Sequence, residues 1–213
     1  MKITGESQAV PPTKALRPTP GRASARLCFV VRPRQSPCRG KTTLPEGRKS
    51  LMMHLEGSCH CGKARFSVDS HTPYPYRFCY CTRCLKSHGG IGGVASIMGE
   101  ADTLLVAGDE DVVVYTTFSN PPGPGIPPVE LRLHNCRHCG GHLYIFSPSW
   151  SRWVYPAASA IDTELPIPAE FFHINLSQKP NWVPVPNGPG HMHFEAVPEE
   201  SIEDWHRRHG IYS

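Results

Sequence analysis

The sequence lacks any apolar run long enough to cross a membrane or to form a secretory signal. The longest apolar run near the start, residues 27–31, has five residues, whereas a bilayer span needs roughly 18–20 and the core of a signal peptide about 7–15. We therefore expect no membrane partner and a reducing, cytoplasmic environment. In that environment clustered cysteines are typical of metal or catalytic sites rather than of disulfides.

Motifs for phosphate, dinucleotide and serine-hydrolase chemistry are missing as well. The glycine-rich stretch 89–93 has no Lys-Ser/Thr ending and opens no long helix, so it does not match a P-loop. No serine triad and no pair of acids stands out as an acid/base couple. The cysteines are therefore the residues that carry the functional signal.

Acidic residues are scarce at the start of the chain. The first 50 residues contain 11 Lys/Arg against 2 Asp/Glu, whereas the rest contains 11 against 16. The overall charge of +4 thus describes neither part, and a nucleic-acid partner is not favoured, because that interpretation would depend on the basic segment alone. Residues 1–52 are predicted to be a disordered basic leader, since they show no hydrophobic period. Met52 and Met53 are candidate alternative starts.

After residue 52 the pattern predicts a mainly β protein. Residues 64, 66 and 68 are apolar and alternate with polar neighbours, which indicates a half-buried strand. Residues 129–134 alternate in the same way, and 171–174 form a further candidate strand. The run Val112–Tyr115 is apolar enough to predict a strand covered on both faces. Many short strands with Gly/Pro-rich turns favour small sheets.

One sizeable helix is predicted near the end, at Glu199–Arg208. Acids lie early and Arg207 and Arg208 late, and Gly210 follows, which matches the helix dipole and the usual stop signal. Ile202 and Trp205 would share its buried face. We expect a zinc-binding domain at 53–160 and a C-terminal extension packed on it at 161–213.

Seven of the nine cysteines fall between residues 59 and 139 and divide into two sets. The four-cysteine set combines two close pairs: Cys59, Cys61, Cys136 and Cys139. The three-cysteine set lies within six positions: Cys79, Cys81 and Cys84. Four thiolates form the closed shell of a structural zinc, whereas three ligands leave the open position that is typical of a catalytic zinc.

Other interpretations of the three-cysteine set stay open at this point. Cys81 and Cys84 also have the spacing of a redox dithiol, although the accompanying βαβ pattern is missing. A histidine such as His60 or His88 in the fourth position would make this ion structural too. The histidines near the second pair, at 134, 138 and 142, are predicted to be surface groups or to lie behind the ligands.

The three motifs together resemble those of the glutathione-dependent formaldehyde-activating enzyme family, which includes relatives of centromere protein V. The resemblance covers about residues 55–158 and depends on three motifs in this order: Gly57-x-Cys59-x-Cys61-Gly62, Cys79-x-Cys81-x-x-Cys84 and Cys136-x-x-Cys139-Gly140.

The resemblance implies a tent-like, zinc-stapled arrangement of small antiparallel sheets with two Zn²⁺ per chain. It implies a structural zinc at the four-cysteine set and a catalytic or labile zinc at the three-cysteine set. The implied activity is that of a carbon–sulfur lyase acting on glutathione and formaldehyde, so the partners are a small thiol and a small carbonyl compound. Arg83, Lys86 and His88 are candidate contacts for the anionic glutathione.

Two alternatives to this function are retained. The zinc pocket of a tailoring enzyme would accept a larger metabolite, with the aromatic segment 144–155 and the proline-rich loop 121–128 shaping a roomier cavity. A non-catalytic, zinc-stapled binding module would instead hold both ions as structural ions. The metal content before and after addition of glutathione separates the enzymes from the module.

Overall fold

The computed structural model describes residues 52–71, 75–88, 93–119, 127–168 and 170–210. The predicted basic leader, apart from Met52, lies outside these residues. The same holds for most of the proline-rich loop and for glycines 89, 90 and 92. The boundaries of the leader, the domain and the extension stay predictions.

Short strands dominate the described chain. In chain order the strands and α-helices are β1 (Met53–Ser58), β2 (Arg65–Ser70), β3 (Tyr76–Cys79), α1 (Thr82–His88), β4 (Val94–Ser96), β5 (Gly99–Glu100), β6 (Leu105–Ala107), β7 (Val112–Phe118), β8 (Glu130–Cys136), β9 (His142–Phe146), β10 (Trp153–Pro156), β11 (Phe171–Ile174), β12 (His191–His193) and α2 (Ile202–Arg208). The predicted mainly β fold with a short C-terminal helix is confirmed. No helix in the described ranges has both the length and the apolarity needed to cross a membrane.

The described strands form three sheets. A three-stranded sheet has the order β1-β2-β6, a five-stranded sheet the order β5-β10-β9-β8-β7, and a four-stranded sheet the order β12-β11-β3-β4. The first two sheets are antiparallel, whereas β11 runs parallel to both β3 and β12. The family resemblance implied antiparallel sheets, and the mixed sheet is an addition to that expectation. A parallel pair requires a long connection, and the chain between β3 and β11 supplies it.

The apolar side chains of the alternating patterns lie in the core. Phe66 and Val68 of β2 are buried while Arg65 is exposed, as the period of two predicts. Leu131 and Leu133 of β8 are buried in the same way. The main core joins side chains of all three sheets and includes two of the cysteines, Cys59 and Cys136.

The prediction of a doubly covered strand at Val112–Tyr115 is wrong. β7 is the edge strand of the five-stranded sheet, and Val114 and Tyr115 are 50% and 56% exposed. An apolar run predicts that a segment prefers to be extended, but it does not specify how many neighbours the strand has. Only β8 pairs with β7 in the described part of the chain.

Helix α2 packs against β11. The Ser201 hydroxyl accepts a hydrogen bond from the Asp204 backbone N–H at 3.0 Å, which caps the first turn. Trp205 is buried with Phe172 and Ile174, and Cys79 packs against this cluster. The predicted burial of Ile202 and Trp205 is confirmed.

Candidate metal centres

The four-cysteine set is assembled by two tight turns at the ends of strands. After β1, the Cys59 backbone N–H donates to the Ala64 carbonyl at 3.0 Å, which closes the loop that carries Cys59 and Cys61. After β8, the Cys136 N–H donates to Gly141 and the Gly140 N–H returns to Cys136, at 2.8 and 3.0 Å. Gly140 has φ +69°, a conformation that favours glycine.

The four sulfur atoms lie close enough to share one ion. Cys61 Sγ is 3.5 Å from Cys59 Sγ and 3.6 Å from Cys136 Sγ, and all four Sγ atoms lie within 4.8 Å of one another. In a tetrahedral site with Zn–S bonds of about 2.3 Å, neighbouring sulfur atoms are about 3.8 Å apart. The spacing therefore fits a four-thiolate zinc site.

The thiols of the four-cysteine set also interact electrostatically. Burial raises the pKa of Cys59, but the Ala64 N–H and the neighbouring thiols outweigh it and bring the pKa to about 6. The Lys63 N–H lowers the pKa of Cys61, yet burial and the neighbouring thiols raise it to about 12. Ionisation of one sulfur thus opposes ionisation of the next, and a cation among them removes that opposition.

The three-cysteine set is built from a single short segment. Cys79 ends β3, and Cys84 lies in the first turn of α1. The Cys84 backbone N–H donates to Cys81 Sγ at 3.4 Å. The three Sγ atoms lie within 4.8 Å of one another, as one face of a tetrahedral ion requires.

No fourth ligand joins this set within the described chain. No Cys, His, Asp or Glu there places a ligand atom within 4.8 Å of all three sulfur atoms. His88, a candidate for the fourth position, instead directs its Nδ1–H to the Cys84 carbonyl at 2.9 Å. His60 is exposed on the turn of the other set. The arrangement is an open triad of sulfur atoms.

Ionisation inside the three-cysteine set is strongly uneven. Hydrogen bonds from the Cys79 and Cys84 thiols lower the pKa of Cys81 to about 2. The same interactions with Cys79 and Cys81, together with burial, raise the pKa of Cys84 far above its usual range. One thiolate therefore forms readily while further ionisation is opposed, and a bound cation would allow all three to ionise.

The predicted glutathione contacts lie on α1, but they are not equivalent. Arg83 donates from Nη1 to the Phe118 carbonyl at 3.1 Å, which ties the helix to the end of β7. Lys86 is exposed. Burial lowers the pKa of His88, so its neutral form is favoured at neutral pH. Of these three side chains, Arg83 and Lys86 therefore carry positive charge at neutral pH, and the Arg83 charge helps to lower the pKa of Cys81.

Two histidines near the three-cysteine set, His88 on α1 and His142 on β9, contact each other. The His88 and His142 rings meet edge to face with centroids 4.0 Å apart, and His142 donates from Nδ1 to the Asn135 side-chain oxygen at 2.9 Å. Burial, with His88 and His134 nearby, lowers the pKa of His142 to about 3. His138, by contrast, is exposed and bonds Asp111 at 2.6 Å. In the described chain neither His138 nor His142 belongs to a group of metal-ligand atoms with the cysteines.

Several residues near the three-cysteine set carried no sequence signal. Tyr80 is fully buried between two of the cysteines, and its hydroxyl lies 3.0 Å from His173 Nδ1. Asn175 donates from its side-chain amide to Cys79 Sγ at 3.3 Å. Both partners of the cysteine segment lie more than 90 positions along the chain, so no local spacing identifies them.

Comparison with known proteins places these features in a family. The family model described as glutathione-dependent formaldehyde-activating enzyme matches residues 54–173. A Halomonas elongata protein, named as a candidate glutathione-dependent formaldehyde-activating enzyme, is 42% identical over 160 residues, which cover 75% of this chain and 98% of that protein. A solved structure of a Rhodobacter sphaeroides protein is 20% identical with a TM-score of 0.40, and the match covers 52% of this chain and 91% of that one.

The family model covers more than half of the chain and spans every residue of both cysteine sets. The similarity to the Halomonas protein extends over nearly all of that protein's length. The resemblance seen in the cysteine motifs is thus confirmed. The chain belongs to the glutathione-dependent formaldehyde-activating enzyme family.

Proposed function

We propose that this chain is a zinc-dependent, carbon–sulfur lyase-type enzyme that acts on the thiol adduct of a small carbonyl compound. The observation that carries the proposal is the contrast between the two sets, one with four sulfur atoms and the other with three and no fourth described ligand. A closed shell suits a structural ion and an open one suits a ligand that exchanges. Family membership supports glutathione and formaldehyde as the first compounds to test.

In this proposal the four-cysteine set holds the structural ion and the three-cysteine set the exchangeable one. When bound at the open set, zinc supplies thiol deprotonation and carbonyl polarisation. Thiolate ligands and inter-sulfur distances within 4.8 Å suit this ion. The enzyme then needs no nucleophile of its own, because the substrate thiol provides it.

The chain's own residues would position and select the substrate. Arg83 and Lys86 place positive charge on α1, the helix that also carries Cys84, and positive charge favours an anionic thiol such as glutathione. In the addition direction the thiol sulfur bonds to the carbonyl carbon, the C=O π bond breaks and the thiol proton ends on the oxygen. In the lyase direction the same bonds change in reverse, with no oxidant or reductant required.

Metal analysis tests the division into two sites. We expect two zinc ions per purified chain. A mild chelator removes one of them, and millimolar glutathione either displaces that ion or slows its removal by binding to it. The other ion resists both the chelator and glutathione. The physical reason is that a three-ligand ion exchanges its fourth partner, whereas a four-thiolate ion has no free position. Two ions that are equally inert to glutathione would contradict the proposal and favour a binding module.

Exchange spectroscopy tests the reaction itself. We expect catalytic amounts of the zinc-loaded protein to accelerate exchange between free glutathione plus formaldehyde and their adduct, measured by two-dimensional NMR exchange at equilibrium. The exchange rate measured with chelator-treated protein is the uncatalysed background, and it is subtracted. Larger aldehydes serve as the comparison series. No acceleration with any thiol–aldehyde pair, from protein that carries both ions, would rule out this function.

A further inference from the structure

We infer that Asn175 is a positioning residue for the three-cysteine set, so that the segment beyond the family match contributes a side chain to the open site. The Asn175 amide donates to Cys79 Sγ at 3.3 Å. The family model ends at residue 173, two positions earlier. The inference depends on the proposed function in assuming that the three-cysteine set binds a metal ion.

The backbone at Asn175 is held in an uncommon conformation. Its φ of 58° makes it the one non-glycine residue with a positive φ in the described chain. Asparagine adopts this region more readily than most residues, and glycine adopts it without steric cost. Glycine would also suit the backbone turn, but it could not make the side-chain contact to Cys79.

The side chain is not used for the role that asparagine usually has at such a position. Asn175 precedes the short 3₁₀ turn Leu176–Gln178, where an asparagine oxygen commonly accepts a backbone N–H. Here the side chain makes no capping hydrogen bond. The amide is directed instead to a sulfur atom 96 positions earlier in the sequence.

Backbone contacts on both sides fix the direction of the amide. Register pairing places Ile174 opposite Cys79 in the parallel pair of β11 and β3, and the Tyr80 N–H donates to the Ile174 carbonyl at 3.0 Å. The Asn175 N–H donates to Ala196 at 2.8 Å, and the Asn175 carbonyl accepts from Gln178 at 3.1 Å. The side-chain amide of Asn175 therefore projects from a backbone that hydrogen bonds hold on both sides.

The contact gives Cys79 a side-chain N–H donor from a distant part of the chain. The nearby backbone also provides donors, from Cys81 to the Cys79 sulfur and from Cys84 to the Cys81 sulfur, the latter at 3.4 Å. Three thiolates around a divalent cation leave a net charge of −1, and an N–H directed at sulfur stabilises that charge and fixes the position of the ligand. Groups that orient metal ligands in this way typically change metal affinity about 10–100-fold when they are removed.

The test is cobalt binding to protein that keeps its tightly bound zinc after the labile ion has been removed with a chelator. We expect Asn175→Gly, which tolerates the positive φ but has no amide, to bind Co²⁺ about 10–100-fold more weakly than the unmodified chain. Its sulfur-to-cobalt charge-transfer band is expected at longer wavelength, because a sulfur without the N–H donor gives up an electron more easily.

The matched control is Asn187→Gly, which removes an exposed asparagine whose oxygen accepts only a local bond from the Gly188 N–H at 2.9 Å. It is expected to bind Co²⁺ as the unmodified chain does. Asn175→Gly with unchanged affinity and an unchanged band would overturn the inference. Failure of the unmodified chain to bind Co²⁺ at all would instead overturn the proposed function. Circular dichroism of each variant verifies that the fold is retained.

Discussion

Replacing Cys84 with serine is expected to leave the domain folded, to remove the labile zinc and to reduce thiol–aldehyde exchange by more than about 100-fold. The loss should exceed the 10–100-fold that the removal of an orienting group typically causes, because Cys84 would itself be a ligand. A serine hydroxyl is a hard and weakly acidic donor that does not replace a soft thiolate. Zinc content by mass spectrometry and the NMR exchange rate measure the two effects.

The fold should survive this substitution because the three-cysteine set bridges only neighbouring residues. Cys79 and Cys84 lie on one segment, which is already fixed by the pairing of β3 with β4 and β11. An ion there closes a very short loop and removes little freedom from the unfolded chain. We expect a loss of about 1–3 kcal/mol, the range for disturbing one buried polar group, measured by urea unfolding. Global unfolding of Cys84→Ser would contradict this assignment.

Replacing Cys136 with serine is expected to unfold the domain. Cys136 is 1% exposed and belongs to the main core, and its sulfur lies 3.6 Å from that of Cys61, 75 positions away. The ion would thus join the turn after β1 to the turn after β8. Structural zinc contributes about 10–16 kcal/mol in small zinc-dependent peptides, which matches or exceeds the 5–15 kcal/mol of total stability typical of a domain.

Far-UV and near-UV circular dichroism with metal analysis measure the effect of Cys136→Ser. We expect loss of the near-UV signal, loss of both ions and poor solubility. Cys38→Ser is the matched control for a cysteine substitution outside both sets, and it is expected to keep both ions and the exchange activity. A folded Cys136→Ser variant that has lost one ion, alongside a Cys84→Ser variant that behaves identically, would show that the two sets do not differ in role.

Much of the fold could be predicted because burial of one face imposes a period on the sequence. The alternation around Phe66 and around Leu131 identified β2 and β8, and the charge pattern with the glycine stop signal identified α2. The run Val112–Tyr115 was wrongly predicted to be covered on both faces, because apolar residues indicate a preference for extended structure and not the number of neighbouring strands. The edge position of β7 is a property of the whole sheet.

The sequence by itself determined the two close cysteine pairs and the three-cysteine set, since residues two or three positions apart in a tight turn bring their sulfur atoms together wherever that turn lies in the fold. The tertiary structure decided that the two pairs of the four-cysteine set converge, that no described side chain reaches a fourth position beside the other three sulfur atoms, and that Asn175 faces Cys79. These outcomes depend on strand register and on connections tens of residues long. No local pattern encodes such pairings, because they arise only when the sheets pack against one another.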